Sequence, residues 1–201
     1  MSIKIKRFLA NTYPEHAELI MGLQTVKKIQ ASPTLLPEAV VRVVAGQMLS
    51  GAAARTIYSR IVCARDSERL IGSWQLNEQS LRECGLSTSK AQAIVRFGQK
   101  IGNNKNALEY WRDLSIDDLF AEVKSHKGMG DWTAGIIALS YIGHGDVFPR
   151  GDGSLKKAVD FLTNAQRKKN RKYVFEPYFA QPYRSYLARY LWQALDGGIL
   201  V

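Results

Sequence analysis

Residues 127–155 read KGMGDWTAGIIALSYIGHGDVFPRGDGSL, and this stretch decides the fold. Gly128-Met129-Gly130 forms a Gly-x-Gly turn that opens directly onto an apolar helix. The backbone N–H groups of such a turn and the N-terminus of the helix suit a phosphate group. A lone acid, Asp152, follows in a loop that contains proline and glycine. The stretch therefore predicts a phosphate clamp followed by a carboxylate, which indicates chemistry on nucleic acid.

The charge of the chain favours a polyanionic partner. Its 201 residues carry a formal net charge of +10, and the sequence pI is about 9.7, values typical of nucleic-acid-binding proteins. Residues 167–172 form a dense basic run, RKKNRK, which either contacts DNA or forms a solvated loop. A hydrophobic content of 46% allows one core, or two small lobes that share a cleft.

The cysteine content excludes several cofactors. Cys63 and Cys84 are far apart, so the chain has no CxxC pair. Neither a zinc site nor a four-cysteine iron–sulfur cluster can therefore be built from these two cysteines. No apolar run is long enough for a secretory signal or a membrane span. We expect an intracellular protein with no membrane partner and no redox cofactor.

Apolar residues recur at helical spacing, and no segment shows convincing β alternation. The pattern predicts an all-α chain. The expected helices begin at Pro37, at Ala52 and after a Ser87 cap, and further helices cover 76–81, 116–123, 131–142, 153–163 and 177–196. Residues 1–36 show the weakest helical pattern of the chain.

Four ordered motifs resemble the helix-hairpin-helix DNA glycosylase superfamily. Residues 126–134, HKGMGDWTA, resemble the hairpin hPGhGxxTA that grips the DNA backbone in that family. Residues 146–152, DVFPRGD, resemble the alkylation-repair branch, the 3-methyladenine DNA glycosylase II type. Residues 44–50, VAGQMLS, and residues 182–186, PYRSY, with the later Leu191-Trp192, resemble two further motifs of that branch.

The resemblance implies a two-lobed, all-helical fold. Residues 1–201 would form a single glycosylase domain, with a central lobe at about 40–150 that holds the hairpin. Residues 1–39 and 151–201 would form the second lobe, and the active site would lie in the cleft between the lobes. The chain has no room for the N-terminal β-domain of larger members. A monomer is the expected state.

The resemblance assigns the catalytic role to Asp152. Cleavage of an N-glycosidic bond develops positive charge on the sugar, which a nearby carboxylate stabilises while it orients or deprotonates water. An alkylated purine already carries positive charge, so one acid suffices where ordinary glycosidases use two. Asp152 could also cap the helix that Gly153-Ser154-Leu155 opens. The rival acid, Asp146, is expected to anchor its loop.

The hairpin residues are assigned to DNA binding. They are Lys127, Gly128, Met129, Gly130 and Thr133, with Lys127 standing where the family has proline. Thr133 is expected to cap the helix or contact the phosphate. In the family, hairpin carbonyls also bind a cation that bridges to the phosphate. The matching carbonyls, those of Lys124, His126 and Met129, are expected to hold Na+ or K+. Asp131 departs from the family, because its carboxylate repels phosphate unless it is neutralised.

Three side chains are candidates for the base pocket. Trp132 stands where bifunctional members of the superfamily have a Schiff-base lysine, so the chain is expected to be monofunctional. The indole face also suits a cationic base. Tyr183 could form another wall, and Ile136 could narrow the pocket. Either aromatic ring could instead belong to the core.

A side chain must fill the gap in the duplex when a base is flipped out. The interruption at Gly46-Gln47-Met48 is where the family presents this plug, which assigns Gln47 and Met48 to DNA binding. Met48 is unbranched and apolar, as a wedge requires. A core position for Met48 is the alternative.

The resemblance implies a monofunctional DNA-3-methyladenine glycosylase that flips alkylated purines, of the 3-methyladenine and 7-methylguanine type, out of duplex DNA and hydrolyses the glycosidic bond in base excision repair. One alternative is a glycosylase for another damaged or mismatched base, but the chain lacks the cluster cysteines and the hairpin lysine of such enzymes. A non-catalytic helix-hairpin-helix DNA-binding module is the other alternative, and Asp152 in its DVFPRGD setting argues against it.

Overall fold

The computed structural model of the chain describes residues 2–169, 175 and 177–200. These residues contain helices and no strand, which confirms the predicted all-α class. The α-helices are α1 (Ser2–Thr12), α2 (Ala17–Gly22), α3 (Leu36–Gly46), α4 (Gly51–Ser67), α5 (Glu78–Glu83), α6 (Thr88–Ile101), α7 (Ile116–Lys124), α8 (Asp131–Ile137), α9 (Gly153–Arg167) and α10 (Arg184–Asp196). Across the same residues, no helix is both long and apolar enough to cross a membrane.

The chain packs into two compact units. One unit is continuous, Ser32–Ile142, and holds α3 to α8. The other combines the two ends, Met1–Ala31 and Gly143–Val201, and holds α1, α2, α9 and α10.

Helix α3 forms the centre of the continuous unit. Its sequence, LPEAVVRVVAG, is apolar on nearly every face, and Leu36, Val40 and Val44 are fully buried. A helix with this composition needs neighbours on most sides. Helices α4, α6 and α8 pack against it, and this packing brings the end of α3 next to the start of α8.

A buried carboxylate ties α3 to its neighbours. Glu38 accepts hydrogen bonds from the backbone N–H of Ser73 at 2.7 Å and from the hydroxyl of Tyr58 at 3.2 Å. It also lies 3.4 Å from a guanidinium nitrogen of Arg65. A buried charge needs such partners, because an unpaired one is strongly destabilising.

Two of the predicted helix starts agree with the structure to within one residue. Ser87 accepts a hydrogen bond from the N–H of Lys90, which caps α6 as expected. The helix predicted from Ala52 begins one residue earlier, after a Ser50 cap that accepts from the N–H of Ala53.

Two predicted helices are shorter than expected. The α-helical part of 131–142 ends at Ile137, and Ala138–Ile142 form a π-helical turn. Apolar spacing cannot separate α from π geometry over a single turn, because the same residues are buried in both. The helix predicted at 177–196 begins only at Arg184. Pro182 lacks an N–H and disfavours a helical residue before it, so Pro177–Ala180 form a separate 3₁₀ turn.

The discontinuous unit is organised around α10. Leu187 and Leu191 of this helix are buried, and its tyrosine hydroxyls bind the first part of the chain. The N–H of Ile29 donates to the hydroxyl of Tyr186 at 3.0 Å, and the N–H of Val26 donates to the hydroxyl of Tyr190 at 3.3 Å. The weakly patterned N-terminal residues therefore join the C-terminal helices in one unit.

Candidate functional site

The hairpin forms a tight turn between α7 and α8. Gly128 has a φ of +92°, which a residue with a side chain rarely adopts. A Cβ atom at Gly128 would also lie 2.8 Å from the Cβ of Ala93 on α6. Gly130 is the N-cap of α8, in an extended conformation and with no side chain in front of the helix. The turn thus presents the open N-terminus of α8, as the Gly-x-Gly pattern predicts.

The carboxylate at the start of α8 is neutralised. Asp131 Oδ1 lies 2.8 Å from the Nζ of Lys124, at the end of α7. Both side chains are more than half exposed, so the pair adds little stability. Its effect is local, because it offsets the charge that would repel a phosphate at the helix N-terminus.

Two residues predicted to bind the hairpin cation through their backbone carbonyls, Met129 and His126, have buried side chains. The side chain of Met129 is buried, and its N–H donates to the carbonyl of His126 at 3.0 Å. The imidazole of His126 is also buried, in edge contact with the rings of Phe97 and Trp111. Burial, and then the positive charge of Lys100, lower the pKa of His126.

Gln47 joins the end of α3 to the hairpin. Its amide Nε2 donates to the carbonyl of Gly128 at 3.0 Å and to the hydroxyl of Thr133 at 3.1 Å. Thr133 is only 1% exposed. The expectation that its side chain caps α8 or contacts a phosphate is therefore wrong, because the hydroxyl is held inside the protein as an acceptor for Gln47.

The residue after Gln47 points into solvent. Met48 is 99% exposed, which excludes the core position, and its φ of +56° is uncommon for a residue with a side chain. Such strain often marks a functional loop. The Nζ of Lys90 stabilises the loop, since it donates to the carbonyls of Ala45 at 3.1 Å and Gln47 at 2.5 Å. The role of Lys90 was not predicted, because nothing in its local sequence marks it as a partner of α3.

Asp152 is held at the start of α9. Its Oδ1 accepts from the N–H groups of Ser154 at 3.0 Å and Leu155 at 2.9 Å, and also from the hydroxyl of Ser154. The predicted helix-capping role is confirmed. The indole N–H of Trp192, on α10, donates to the same oxygen at 3.3 Å. These donors fix the position of the carboxylate at the start of α9.

The rival acid has a structural role, as expected. Both carboxylate oxygens of Asp146 bind the guanidinium of Arg184, at 2.8 and 2.9 Å. Asp146 Oδ1 also accepts from the backbone N–H of Arg184 at 3.2 Å. This arrangement anchors the loop before Asp152 to the start of α10.

Comparisons with known proteins yield glycosylases of one kind, although no protein-family model matches the chain. The chain is 28% identical over 168 residues to the alkylbase DNA glycosidase-like protein mag2 of Schizosaccharomyces pombe, across 78% of this chain and 76% of that protein. It is 24% identical over 161 residues to the DNA-3-methyladenine glycosylase 1 of Schizosaccharomyces pombe, across 78% of this chain and 71% of that protein.

Solved structures share the fold. The Schizosaccharomyces pombe 3-methyladenine DNA glycosylase Mag1 in complex with abasic DNA matches with a TM-score of 0.69 and 19% identity, over 96% of this chain and 97% of that one. The Archaeoglobus fulgidus 3-methyladenine DNA glycosylase matches with a TM-score of 0.65 and 18% identity, over 100% and 72%. In sequence the chain is thus similar to proteins named as alkylbase and 3-methyladenine DNA glycosylases, and its fold matches that of solved 3-methyladenine DNA glycosylases.

Each candidate pocket residue is described within its own unit. Trp132 and Ile136 lie one turn apart on α8, and both are half-buried. Tyr183 belongs to the discontinuous unit, half-buried beside α10, with its ring in edge contact with Phe8 at 5.2 Å and Tyr186 at 6.1 Å. These contacts support Tyr183 with an aromatic cluster that sequence spacing did not reveal.

The predicted DNA-binding residues and the predicted catalytic residue also lie in different units. The continuous unit brings together the hairpin, Gln47 and Met48, whereas Asp152 belongs to the other unit. Arg167, Lys168 and Lys169 of the basic run are exposed. The remaining part of the run, 170–172, lies outside the described residues.

Proposed function

We propose that this chain is a monofunctional DNA glycosylase that releases alkylated purines, of the 3-methyladenine and 7-methylguanine type, from duplex DNA. The observation that carries this function is Asp152, whose carboxylate is held at the start of α9 by backbone N–H groups and by Trp192. The named 3-methyladenine and alkylbase relatives support the same activity and substrate class.

The reaction is hydrolysis of the bond between C1′ of deoxyribose and the purine nitrogen. As this bond breaks, the alkylated purine takes the bonding electrons and leaves as a neutral base. The Asp152 carboxylate stabilises the positive charge that develops on the sugar. Water then adds to C1′, and its proton passes to Asp152 or to solvent. The products are the free base and an abasic strand.

The charge of the lesion explains why one carboxylate is enough. A cationic purine is a good leaving group without a proton donor, so the enzyme needs no second acid. The reaction is also neither a redox step nor one that needs a Lewis acid on the base. We therefore assign it no redox cofactor and no catalytic metal.

DNA is the partner, and the hairpin is the proposed phosphate clamp. The N-terminus of α8 is open after Gly130, and Lys127 precedes the turn. Met48 is the proposed plug for the flipped-out base. The walls of the base pocket are assigned to Trp132, Ile136 and Tyr183, whose π faces and apolar surface suit a cationic purine.

A monovalent cation at the hairpin is a further part of this proposal. The carbonyls of Lys124, His126 and Met129 are the assigned ligands, and oxygen donors suit hard cations of this kind. The carbonyl of His126 keeps one lone pair beyond its bond to Met129. DNA affinity in KCl should exceed that in tetramethylammonium chloride of equal ionic strength, and equal affinities would remove the cation from the proposal.

The proposed working form is a monomer that acts inside the cell, where its DNA substrate lies. Sedimentation of the protein with and without duplex DNA tests the monomer, since a dimer would double the mass in both samples.

Release of bases from methylated duplex DNA tests the function. Wild-type protein should release methylated purines, and Asp152→Asn should slow single-turnover release by roughly 10²-fold or more while lesion binding stays near normal. Asp160→Asn is the matched control, because Asp160 is an exposed acid on the same helix. Equal rates for wild type and folded Asp152→Asn would overturn the catalytic assignment. DNA binding without any base release would instead indicate a non-catalytic module.

A further inference from the structure

A small basic cavity lies beside the hairpin. Its volume is about 180 Å³, and its lining includes the cations Arg96, Lys100 and Lys127. This volume corresponds to about six water molecules at their liquid density. The cavity therefore has room for a phosphate group and a few waters, but not for a nucleotide.

The cavity adjoins the contact between α6 and the hairpin. Ala93 of α6 lies against Gly128, at the distance that excludes a Cβ there. Arg96 and Lys100 are four residues apart on α6, so they lie on one face of that helix. Lys127 immediately precedes Gly128 in the turn. Both sides of the cavity are therefore held next to the hairpin.

The three cations have no counter-ion in the part of the chain that the structure describes. Among the described residues, none of Arg96, Lys100 and Lys127 makes an ion pair. Lys124, by contrast, is paired with Asp131. Cations that line one small cavity repel one another, and an anion bound between them would relieve that repulsion.

A buried polar atom with no partner belongs to the same cavity. His126 lines it and is 6% exposed, and its Nε2 has no hydrogen-bond partner among the described residues. A buried nitrogen without a partner is unfavourable unless a ligand or a water molecule forms a hydrogen bond with it. Lys100 lines the same cavity as this ring.

We propose that Arg96, Lys100 and Lys127 form a second phosphate subsite, which binds a phosphodiester of the DNA backbone next to the one held at the start of α8. This inference rests on the proposed function, because it adds a second phosphate contact on the duplex that the hairpin is proposed to bind. A charged subsite on α6 would add affinity for any sequence and would not select the lesion. The predicted role of Lys127 thereby becomes part of a three-residue site.

The salt dependence of binding tests the subsite. We compare wild type with Arg96→Gln/Lys100→Gln by fluorescence anisotropy, on an undamaged duplex and on one with an abasic analogue, over a series of KCl concentrations. The slope of log K against log[KCl] should become shallower by about 0.9 for one lost phosphate contact. The matched control is Arg82→Gln/Lys28→Gln, which removes two exposed cations elsewhere. Equal slopes for the two double variants would overturn the proposal.

The His126 ring gives a second readout and separates DNA from free phosphate. In NMR spectra assigned with His126→Gln, the ring signals should move when duplex DNA is added, and much less in the Arg96→Gln/Lys100→Gln protein. If micromolar inorganic phosphate moves them to saturation and DNA then moves them no further, the cavity is a free-anion site and the DNA subsite is wrong. No shift with either ligand would also overturn the proposal.

Single-turnover base release separates this proposal from the proposed function. At low salt and saturating protein, the control Arg82→Gln/Lys28→Gln should release base at the wild-type rate, because neither of these cations lines the cavity. A wild-type protein that bound DNA with the expected slope but released no base would overturn the glycosylase assignment and leave the subsite standing.

Discussion

The side-chain amide of Gln47 donates a hydrogen bond to the hydroxyl of Thr133 at 3.1 Å, and so connects the loop after α3 to the third residue of α8. The same amide donates to the carbonyl of Gly128 at 3.0 Å. One side chain therefore holds the proposed plug loop against the proposed phosphate clamp. The two parts of the proposed DNA interface in the continuous unit are therefore connected directly.

Replacement of Gln47 should disturb both parts at once. Gln47→Ala leaves the buried Thr133 hydroxyl without its donor, and we expect a loss of about 1 kcal/mol in the free energy of unfolding. Lesion affinity should fall as well, because the plug loop loses its tether. Thermal melting and anisotropy on abasic duplex measure the two effects. Unchanged affinity in the destabilised variant would show that the tether has no part in DNA binding.

Met48 should behave as an exposed plug. Met48→Ala is expected to lower lesion affinity and the single-turnover rate together, with little change in melting temperature, because the side chain is 99% exposed. Truncation of a core methionine would instead cost roughly 2–5 kcal/mol of stability. Leu49→Ala is the neighbouring control, since Leu49 is also exposed. Equal losses for both variants would mean that the loop, and not Met48, matters.

Trp192 should act as a positioning residue for Asp152. Trp192→Phe keeps an aromatic ring but removes the N–H that donates to Asp152 at 3.3 Å. One lost hydrogen bond of about 1 kcal/mol corresponds to a roughly fivefold slower base release. The effect should disappear in the Asp152→Asn background, as a double-mutant cycle requires of coupled residues. Additive losses in the cycle would contradict the coupling.

Borohydride should not trap a protein–DNA adduct, because Trp132 occupies the hairpin position of the Schiff-base lysine and has no amine. Gel electrophoresis after reduction of a reaction in progress measures this. A trapped complex that depends on Asp152 would identify another lysine as a nucleophile, with Lys127 as the first candidate.

Stability should fall in mildly acidic solution. Burial lowers the pKa of His16, His126 and His144 in the folded protein below the ordinary value of 6.5. Above pH 6.5 these three histidines are neutral in both the folded and the unfolded protein, so they do not lower the free energy of unfolding. As the pH falls from 6.5 towards the folded-state pKa values, the unfolded chain takes up protons first, and the free energy of unfolding decreases.

Melting curves between pH 7.5 and pH 5 measure this loss. His126→Gln should show a smaller decrease than wild type, since one of the three linked groups is removed. An identical pH dependence in the two proteins would show that His126 does not contribute.

Local patterns predicted the elements whose causes are local. The cap at Ser87, the glycine turn and the capping by Asp152 each depend on a few adjacent residues, so their sequence was sufficient. The helix at 131–142 was predicted too long, because the change from α to π geometry at Ala138 does not alter which residues are apolar.

The partners of the site residues could not be predicted, because they are distant in sequence. Lys90 reaches the carbonyls after α3, and Trp192 reaches Asp152, across separations that no periodicity spans. Thr133 is an example in which the local motif gave a wrong expectation. Its place in the hairpin motif indicated a phosphate contact, whereas packing of α3 against α8 buried it beneath Gln47.

The sequence by itself determined the helical class, the glycine turn before α8, the acid Asp152 at the end of DVFPRGD and the tryptophan at position 132 in place of a Schiff-base lysine. These depend on residue type and spacing, which tertiary packing does not change. Only the tertiary structure decided that Met48 is exposed and Thr133 buried, that Lys124 neutralises Asp131, and that α6 brings Arg96 and Lys100 next to the hairpin. Exposure and charge pairing depend on which distant surfaces meet, and that is settled when the helices pack.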